Sequence, residues 1–213
     1  MDWFYELPLV TRVYLTSTAA VTIGDQLGWL TILNLYFDPS LVFSRGDYWR
    51  LITTFLYYGS LSLDWAIHMY FGIRYMSDLE QGSFYNRRAD FIWFLLYSCI
   101  VLLAIGGPLI GILFHGPALS AVLLYLWARR NPDMQISFFG VLDFRAPYLP
   151  FVMVGFEWLV SRHGTLPRSD LAGIIIGHVY YFFADVWPNH PSSGGFRLFR
   201  TPNWFKRLCG EEP

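Results

Sequence analysis

The chain has 213 residues, of which 54% are hydrophobic, 20% aromatic and only 15% charged, with a mean hydropathy of +0.37. Soluble domains carry roughly 25% charged residues, and 19 Phe, 14 Tyr and 9 Trp are more than a core of this size can hide, so the composition excludes an ordinary water-soluble domain and points to lipid as solvent. A net charge of −1 supplies no field for a polyanion, so no nucleic-acid partner is expected, and Cys99 and Cys209, one in an apolar run and one in a polar tail, make no disulfide framework and are expected to be reduced.

Charge-poor apolar runs predict an all-α polytopic membrane protein of six transmembrane helices. The first runs from about Thr11 to about Leu33, interrupted by Gly24-Asp25-Gln26, which leaves open whether Asp25 is in the span or the loop after it. The second covers roughly Leu61 to Leu79, after an apolar stretch Leu51 to Tyr58 expected to lie along the interface. The third begins at Asp90 and the fourth ends at Ala128, parted by Gly106-Gly107-Pro108 and His115-Gly116-Pro117. The fifth covers about Pro147 to Val160 and the sixth about Leu171 to Trp187. One domain, 1–213, is expected, with a membrane bundle over about 1–187 and a cytosolic tail over about 188–213 that is irregular except for a short interfacial helix near Trp204.

Spans of about 15 to 18 residues reach roughly 22 to 27 Å against a hydrocarbon core of about 30 Å, which favours a thin, early secretory membrane. Of the 15 Lys and Arg, eleven fall on the face that carries both termini and four, Arg45, Arg50, Arg162 and Arg168, on the other. That bias places both termini in the cytosol, as an even number of spans requires. Asp2 and Glu6 without a basic leading segment do not resemble a cleaved signal peptide, so the first span is expected to be retained.

Polar groups at membrane depth must be paired, hydrated or functional. Trp49-Arg50 sits in the first luminal loop, either as an interfacial anchor snorkelling to phosphate or as a staple donating to loop carbonyls, and spacing alone favours the anchor. Asp64 and His68 share a helical face at i and i+4, where a cap and a satisfied histidine are the ordinary reading and a proton relay the sharper one. Glu157 has no adjacent partner and must line a hydrated cavity, be protonated or be paired. Gly173-Ile174-Ile175-Ile176-Gly177 is a GxxxG pattern for close helix approach, with His178 on a different face. Five histidines without paired ligand spacing argue against a metal, and no cofactor is expected.

Trp49-Arg50, Glu80-Gln81-Gly82-Ser83-Phe84, Arg88-Ala89-Asp90-Phe91, Leu124-Tyr125-Leu126-Trp127-Ala128, the loop Asn131 to Gly140, and Gly173 to Phe182 with Asp185-Val186-Trp187-Pro188 occur in an order and spacing that resembles the derlins, rhomboid-like proteins of the endoplasmic reticulum membrane. The resemblance implies the rhomboid fold: six helices around a luminal, partly hydrated cavity, a half-embedded loop held by Trp49 and Arg50, and a central helix packed through Gly173 and Gly177. An active rhomboid protease needs a GxSG serine at the start of the fourth span and a histidine three residues before the glycine pattern. Here Asp170 stands at the histidine position, no GxSG occurs, Ser120 lies further into the helix, and the oxyanion histidines are reduced to His68. Peptide hydrolysis is expected to be absent.

The resemblance further implies a non-catalytic role in degradation of misfolded luminal and membrane proteins, moved to the cytosol with a Hrd-type membrane ubiquitin ligase and its adaptor. Asp64, His68, Glu157, Asp170 and His178 are the candidates to hydrate a groove. The tail after Thr201 lacks the FxGxGxxL-like motif by which some derlins recruit a cytosolic AAA ATPase, which leaves an ATPase engaged indirectly through the ligase or a chain that continues beyond Pro213. The competing readings are an intramembrane serine protease using Ser120 with His68 or His178, and a lipid or solute transporter, for which the inverted repeat is missing.

Overall fold

A computed structural model describes residues 2–138, 140, 142–160, 166–195 and 197–211, with residues 2, 3, 63, 64, 160 and 192 described by backbone alone. Eleven α-helices are formed among them: α1 Asp2–Glu6, α2 Leu9–Gln26, α3 Ile32–Leu35, α4 Pro39–Arg45, α5 Arg50–Leu56, α6 Leu63–Asp78, α7 Arg88–Ile105, α8 Gly116–Arg130, α9 Leu149–Val160, α10 Arg168–Tyr181 and α11 Asn203–Leu208. Wide π turns prolong α6 over Leu79–Ser83, α7 over Gly106–Ile110 and α10 over Phe182–Val186. The apolar runs correspond to α2, α6, α7, α8, α9 and α10, and Asp25 falls in the last turn of α2, where its carboxylate accepts from Tyr57 Oη at 3.1 Å.

The purely α class needs one correction. Strands β1 Gln135–Phe138 and β2 Leu142–Arg145 form an antiparallel hairpin, with Ile136 opposite Phe144. Phe138 is its buried anchor, 6.2 Å from the Phe71 ring and 5.6 Å from that of Phe156. Four-residue strands leave too short an alternation to read against a loop.

Two helices with their continuations, Arg88–Ile110 and Arg168–Asn189, are long and apolar enough to cross a bilayer, and only 22% and 28% of their most apolar stretches are buried. In α7 the buried side chains Phe91, Phe94, Ser98 and Leu102 make one stripe at helical spacing, while Ile100 is turned outward, the pattern of a helix with one face on protein and the other on lipid. Length and apolarity alone do not carry a count of six crossings. The reason is visible in α8, which has 15 residues and is buried on all sides from Ala118 to Ala128. A helix walled in by protein needs neither the length nor the apolarity that lipid imposes.

The tightest helix pair is α8 with α10. A Cβ at Gly173 would meet the Ala121 methyl at 2.6 Å and the Val122 amide nitrogen at 3.1 Å, and one at Gly177 would meet Tyr125 Cβ at 3.1 Å. The two glycines let the backbones approach closely, at Gly173 to a distance no side chain allows, which is the packing the GxxxG pattern predicts. Outside this core, Trp29, Phe43 and Leu109 expose more than three quarters of their surface, an arrangement that water would penalise and lipid would not.

Candidate functional site

The first loop is tied down from inside. Arg50 is 5% exposed. Its Nη1 donates to the carbonyls of Leu33 at 2.7 Å and Tyr36 at 3.1 Å, and its Nε to Asp47 Oδ2 at 3.1 Å. The guanidinium also lies 5.0 Å over the Tyr36 ring. This is staple geometry, and the snorkelling anchor favoured by spacing does not describe Arg50, whose donors are spent on the loop. Trp49 remains half exposed and donates from Nε1 to Asn34 O at 3.3 Å. The stretch after Arg50 is likewise not laid on an interface along its length: Thr54, Phe55, Tyr57 and Tyr58 are buried, while Ile52 points out.

His115, seen in the sequence only as a helix break, is fully buried and joins this loop to α8. Its amide donates to Thr54 O at 2.9 Å, and its Nδ1 lies 3.0 Å from Thr54 Oγ1. The Thr54 hydroxyl gives its proton to Leu113 O at 3.2 Å.

Three polar candidates that lie far apart in sequence meet in space. His68 from α6, Glu157 from α9 and Asp170 from the first turn of α10 place one ligand atom each within 4.8 Å of one another. His68 and Asp170 are buried, and Glu157 Oε2 is buried with no hydrogen-bond partner among the described residues. A cavity of about 20 Å³ adjoins two of them, lined by His68, Asp170 and Ser120 and by apolar side chains including Phe71, Met153 and Ile174. It has room for about one water. The imidazole and the two carboxylates are also a donor set that could hold a divalent metal, so the spacing argument against a metal does not extend to residues gathered from three helices.

Of the remaining candidates, His178 is not part of this group. Its Nδ1 pairs with Tyr125 Oη at 2.7 Å, roughly two helical turns along α10 from Asp170. The side chain of Asp64 lies outside the described residues, so its pairing with His68 is not described.

Ser120 borders the same cavity, and a chain of hydroxyls fixes where its proton goes. Tyr14 donates to Phe55 O at 2.8 Å, so at the 2.8 Å contact with Tyr58 it accepts. Tyr58, having donated there, accepts from Ser120 Oγ at 2.7 Å. Each hydroxyl has one proton, and that of Ser120 is committed to a tyrosine, not to a histidine. Tyr14 and Tyr58 do not stand out in the sequence, because tyrosine in an aromatic-rich chain carries no signal of its partners.

Glu80, in the sequence only one residue of the Glu80–Phe84 motif, is 6% exposed and closes the start of α2: Oε1 accepts the amide of Val10 at 3.0 Å and Oε2 that of Thr11 at 2.9 Å. The tail also folds back. Phe199 packs on the rings of Tyr97 and Tyr180, α11 sets Phe205 on Trp93, and Glu211 Oε1 accepts the Ala89 amide at 3.0 Å. The short helix expected near Trp204 is α11. The tail expected to be irregular is thus part of the packed structure.

A model of the Der1-like family matches residues 7–203. Derlin-2.2 of Arabidopsis thaliana is 39% identical over 222 residues, covering all of this chain and 88% of the relative. Derlin-2 of Oryza sativa subsp. japonica is 39% identical over 221 residues, 99% of this chain and 86% of the relative, and a probable derlin-2 homolog of Dictyostelium discoideum is 36% identical over 218 residues, 99% of this chain and 84% of the relative. The chain belongs to the Der1-like family, the derlins, rhomboid-like and non-catalytic membrane proteins of the endoplasmic reticulum.

Proposed function

We propose that this derlin recognises misfolded luminal and membrane proteins and helps pass them to the cytosol for degradation, through a hydrated groove in locally thinned membrane. The observation that carries the reading is the meeting of His68, Glu157 and Asp170 between α6, α9 and α10. Ionisable groups at membrane depth are costly, and retaining three together makes sense where a polar chain must be solvated in transit. Short helices support it: α2, at 18 residues with Val13 and Ile23 turned outward, rises about 27 Å, under the ~30 Å of an ordinary hydrocarbon core. In this reading α2, α6, α7, α8, α9 and α10 are the six spans of a rhomboid-like bundle, both termini are cytosolic, and a Hrd-type ubiquitin ligase with its adaptor receives the substrate, the AAA ATPase being engaged through that complex.

The test is export of a misfolded luminal glycoprotein in cells lacking the endogenous derlin. Cells carrying Glu157→Leu with Asp170→Leu are expected to degrade it several-fold more slowly than wild type at equal derlin abundance. A photo-crosslinker at Phe151, exposed on α9, is expected to capture the substrate. Unchanged export by a stably expressed double variant would sink the groove account.

A further inference from the structure

A cleft of about 1130 Å³ opens where α7 begins and α10 ends. Its wall carries Arg87, Arg130, Arg197, Arg200 and Lys206 against two acids, Asp90 and Asp185, which leaves an excess of three positive charges. Both acids are already engaged. Asp185 takes Nε and Nη2 of Arg130 at 2.8 and 2.9 Å, and Asp90 lies 3.8 Å from Arg87. Arg130 Nη1 is buried in this wall without an acceptor among the described residues, a guanidinium donor for which a further oxygen is wanting. Arg197, Arg200 and Lys206 have no acidic partner among the described residues.

The wall is held by packing. Phe199, 4.6 Å from the Tyr97 ring and 5.1 Å from that of Tyr180, seats the segment bearing Arg197 and Arg200, and Thr201 is buried beside it. Phe205 on Trp93 at 5.3 Å does the same for Lys206. On the same segment Leu198, Trp204 and Leu208 are more than half exposed. An indole and leucines turned outward beside lysine and arginine are the marks of a segment lying at headgroup depth.

We propose that this cleft binds a phospholipid whose headgroup carries a phosphomonoester, of the class of a monophosphorylated phosphatidylinositol. Its phosphodiester and phosphomonoester together bear about three negative charges, which matches the unbalanced charge of the wall. The phosphomonoester's three oxygens suit the unpaired Arg130 donor and the free cations of the tail. The outward Trp204 and Leu208 place the mouth where acyl chains remain in the leaflet, which selects a lipid over a soluble phosphate. The tail, folded back by Glu211 and Phe199, is then the headgroup clamp.

The test is binding of dioctanoyl phosphatidylinositol 4-phosphate to the full chain in nanodiscs of neutral phosphatidylcholine. Dioctanoyl phosphatidylcholine and free inositol 1,4-bisphosphate are run in parallel. The phosphoinositide is expected to bind at least tenfold more tightly than either, with steep loss on adding salt. Combining Arg197→Gln, Arg200→Gln and Lys206→Gln should weaken it about a hundredfold, each cation near the surface being worth roughly fivefold. Should the triple variant lower the melting temperature, the single variants Arg200→Gln and Lys206→Gln decide, each with the fivefold loss. Equal binding of phosphatidylcholine, or no loss in the variants, overturns the site. Free inositol bisphosphate binding as tightly as the lipid overturns the assignment to a lipid.

Discussion

Glu80 Oε2 accepts both the amide and the hydroxyl of Thr11, each at 2.9 Å, across 69 residues of sequence. With Oε1 on the Val10 amide, one buried carboxylate satisfies two of the orphan donors at the start of α2 and lies on the positive end of its dipole. The π turn Leu79–Ser83 that bears Glu80 is thereby riveted to the first long helix. Replacing Glu80 with Ala leaves those donors buried and unpaired, and is expected to cost about 2–4 kcal/mol. Thermal denaturation in detergent checks it, with Glu80→Gln, which keeps one acceptor but no charge, melting between the variant and wild type.

The α8–α10 contact separates two glycines that the motif treats alike. At Gly173 an added methyl runs into the Ala118 carbonyl and Val122 amide of α8, backbone atoms that cannot yield. At Gly177 the nearest atoms are Tyr125 Cβ at 3.1 Å and Cδ1 and the Val122 carbonyl at 3.2 Å, tighter than usual but within a small adjustment. Gly173→Ala is therefore expected to lose upwards of about 3 kcal/mol and Gly177→Ala about 1 kcal/mol. Resistance to SDS unfolding should rank wild type, then Gly177→Ala, then Gly173→Ala.

Lysine at position 50 keeps the charge of the staple and discards its fork. An ammonium cannot reach Leu33 O, Tyr36 O and Asp47 together in the directions the guanidinium uses. Arg50→Lys is expected to cost about 2–3 kcal/mol and to speed proteolysis of the loop carrying α3 and α4. Equal cleavage rates in the two proteins would return Arg50 to the role of a surface anchor.

The helices were legible because lipid imposes a strong and local rule: charge-poor runs stopped by Gly, Pro or Arg mark α2, α6, α7, α8, α9 and α10, although the first run, read to about Leu33, ends as a helix at Gln26 and its remainder belongs to the separate α3. GxxxG was legible as close packing because only glycine permits the approach. What a residue touches is a different matter. His68, Glu157 and Asp170 are 89 and 13 residues apart along the chain, and only the crossing of three helices makes them neighbours. Arg50 read as an anchor because two of its three acceptors are backbone carbonyls, which every residue has. The hairpin at Gln135–Phe138 and the folded-back tail were missed because each depends on one or two aromatic anchors, Phe138 and Phe199, in a chain where one residue in five is aromatic.

Asp38 caps α4 from the first loop, accepting from Ser40 Oγ at 2.7 Å and Ser40 N at 2.8 Å. The Ser40 hydroxyl and then its amide hold the carboxyl below the usual carboxylate range. A carboxyl lowered on folding contributes its stability above its unfolded value, near ~3.9, and loses it as pH falls through the lowered folded value. Because the group is partly open to solvent the effect is small and local. Cleavage of this loop by an acid-active protease is expected to accelerate below about pH 4 in wild type and to show no such step in Asp38→Asn, which has no proton to take up.

Ser120 lines the cavity beside His68 and Asp170, the place where a hydrolase would keep its nucleophile, and the hydroxyl chain decides against that use. A serine attacks when a base takes its proton. Here the proton points to Tyr58, the Tyr58 proton to Tyr14, and the Tyr14 proton to a backbone carbonyl, so the line ends on an acceptor that cannot carry charge away. Asp170 lacks the second nitrogen with which an imidazole relays a proton while held by another partner. A fluorophosphonate probe is expected to leave the purified protein unlabelled in detergent and in bilayers, and Tyr58→Phe, which removes the acceptor of the Ser120 proton, should lower the melting temperature without creating labelling. Labelling of wild type that disappears in Ser120→Ala would reinstate a nucleophile.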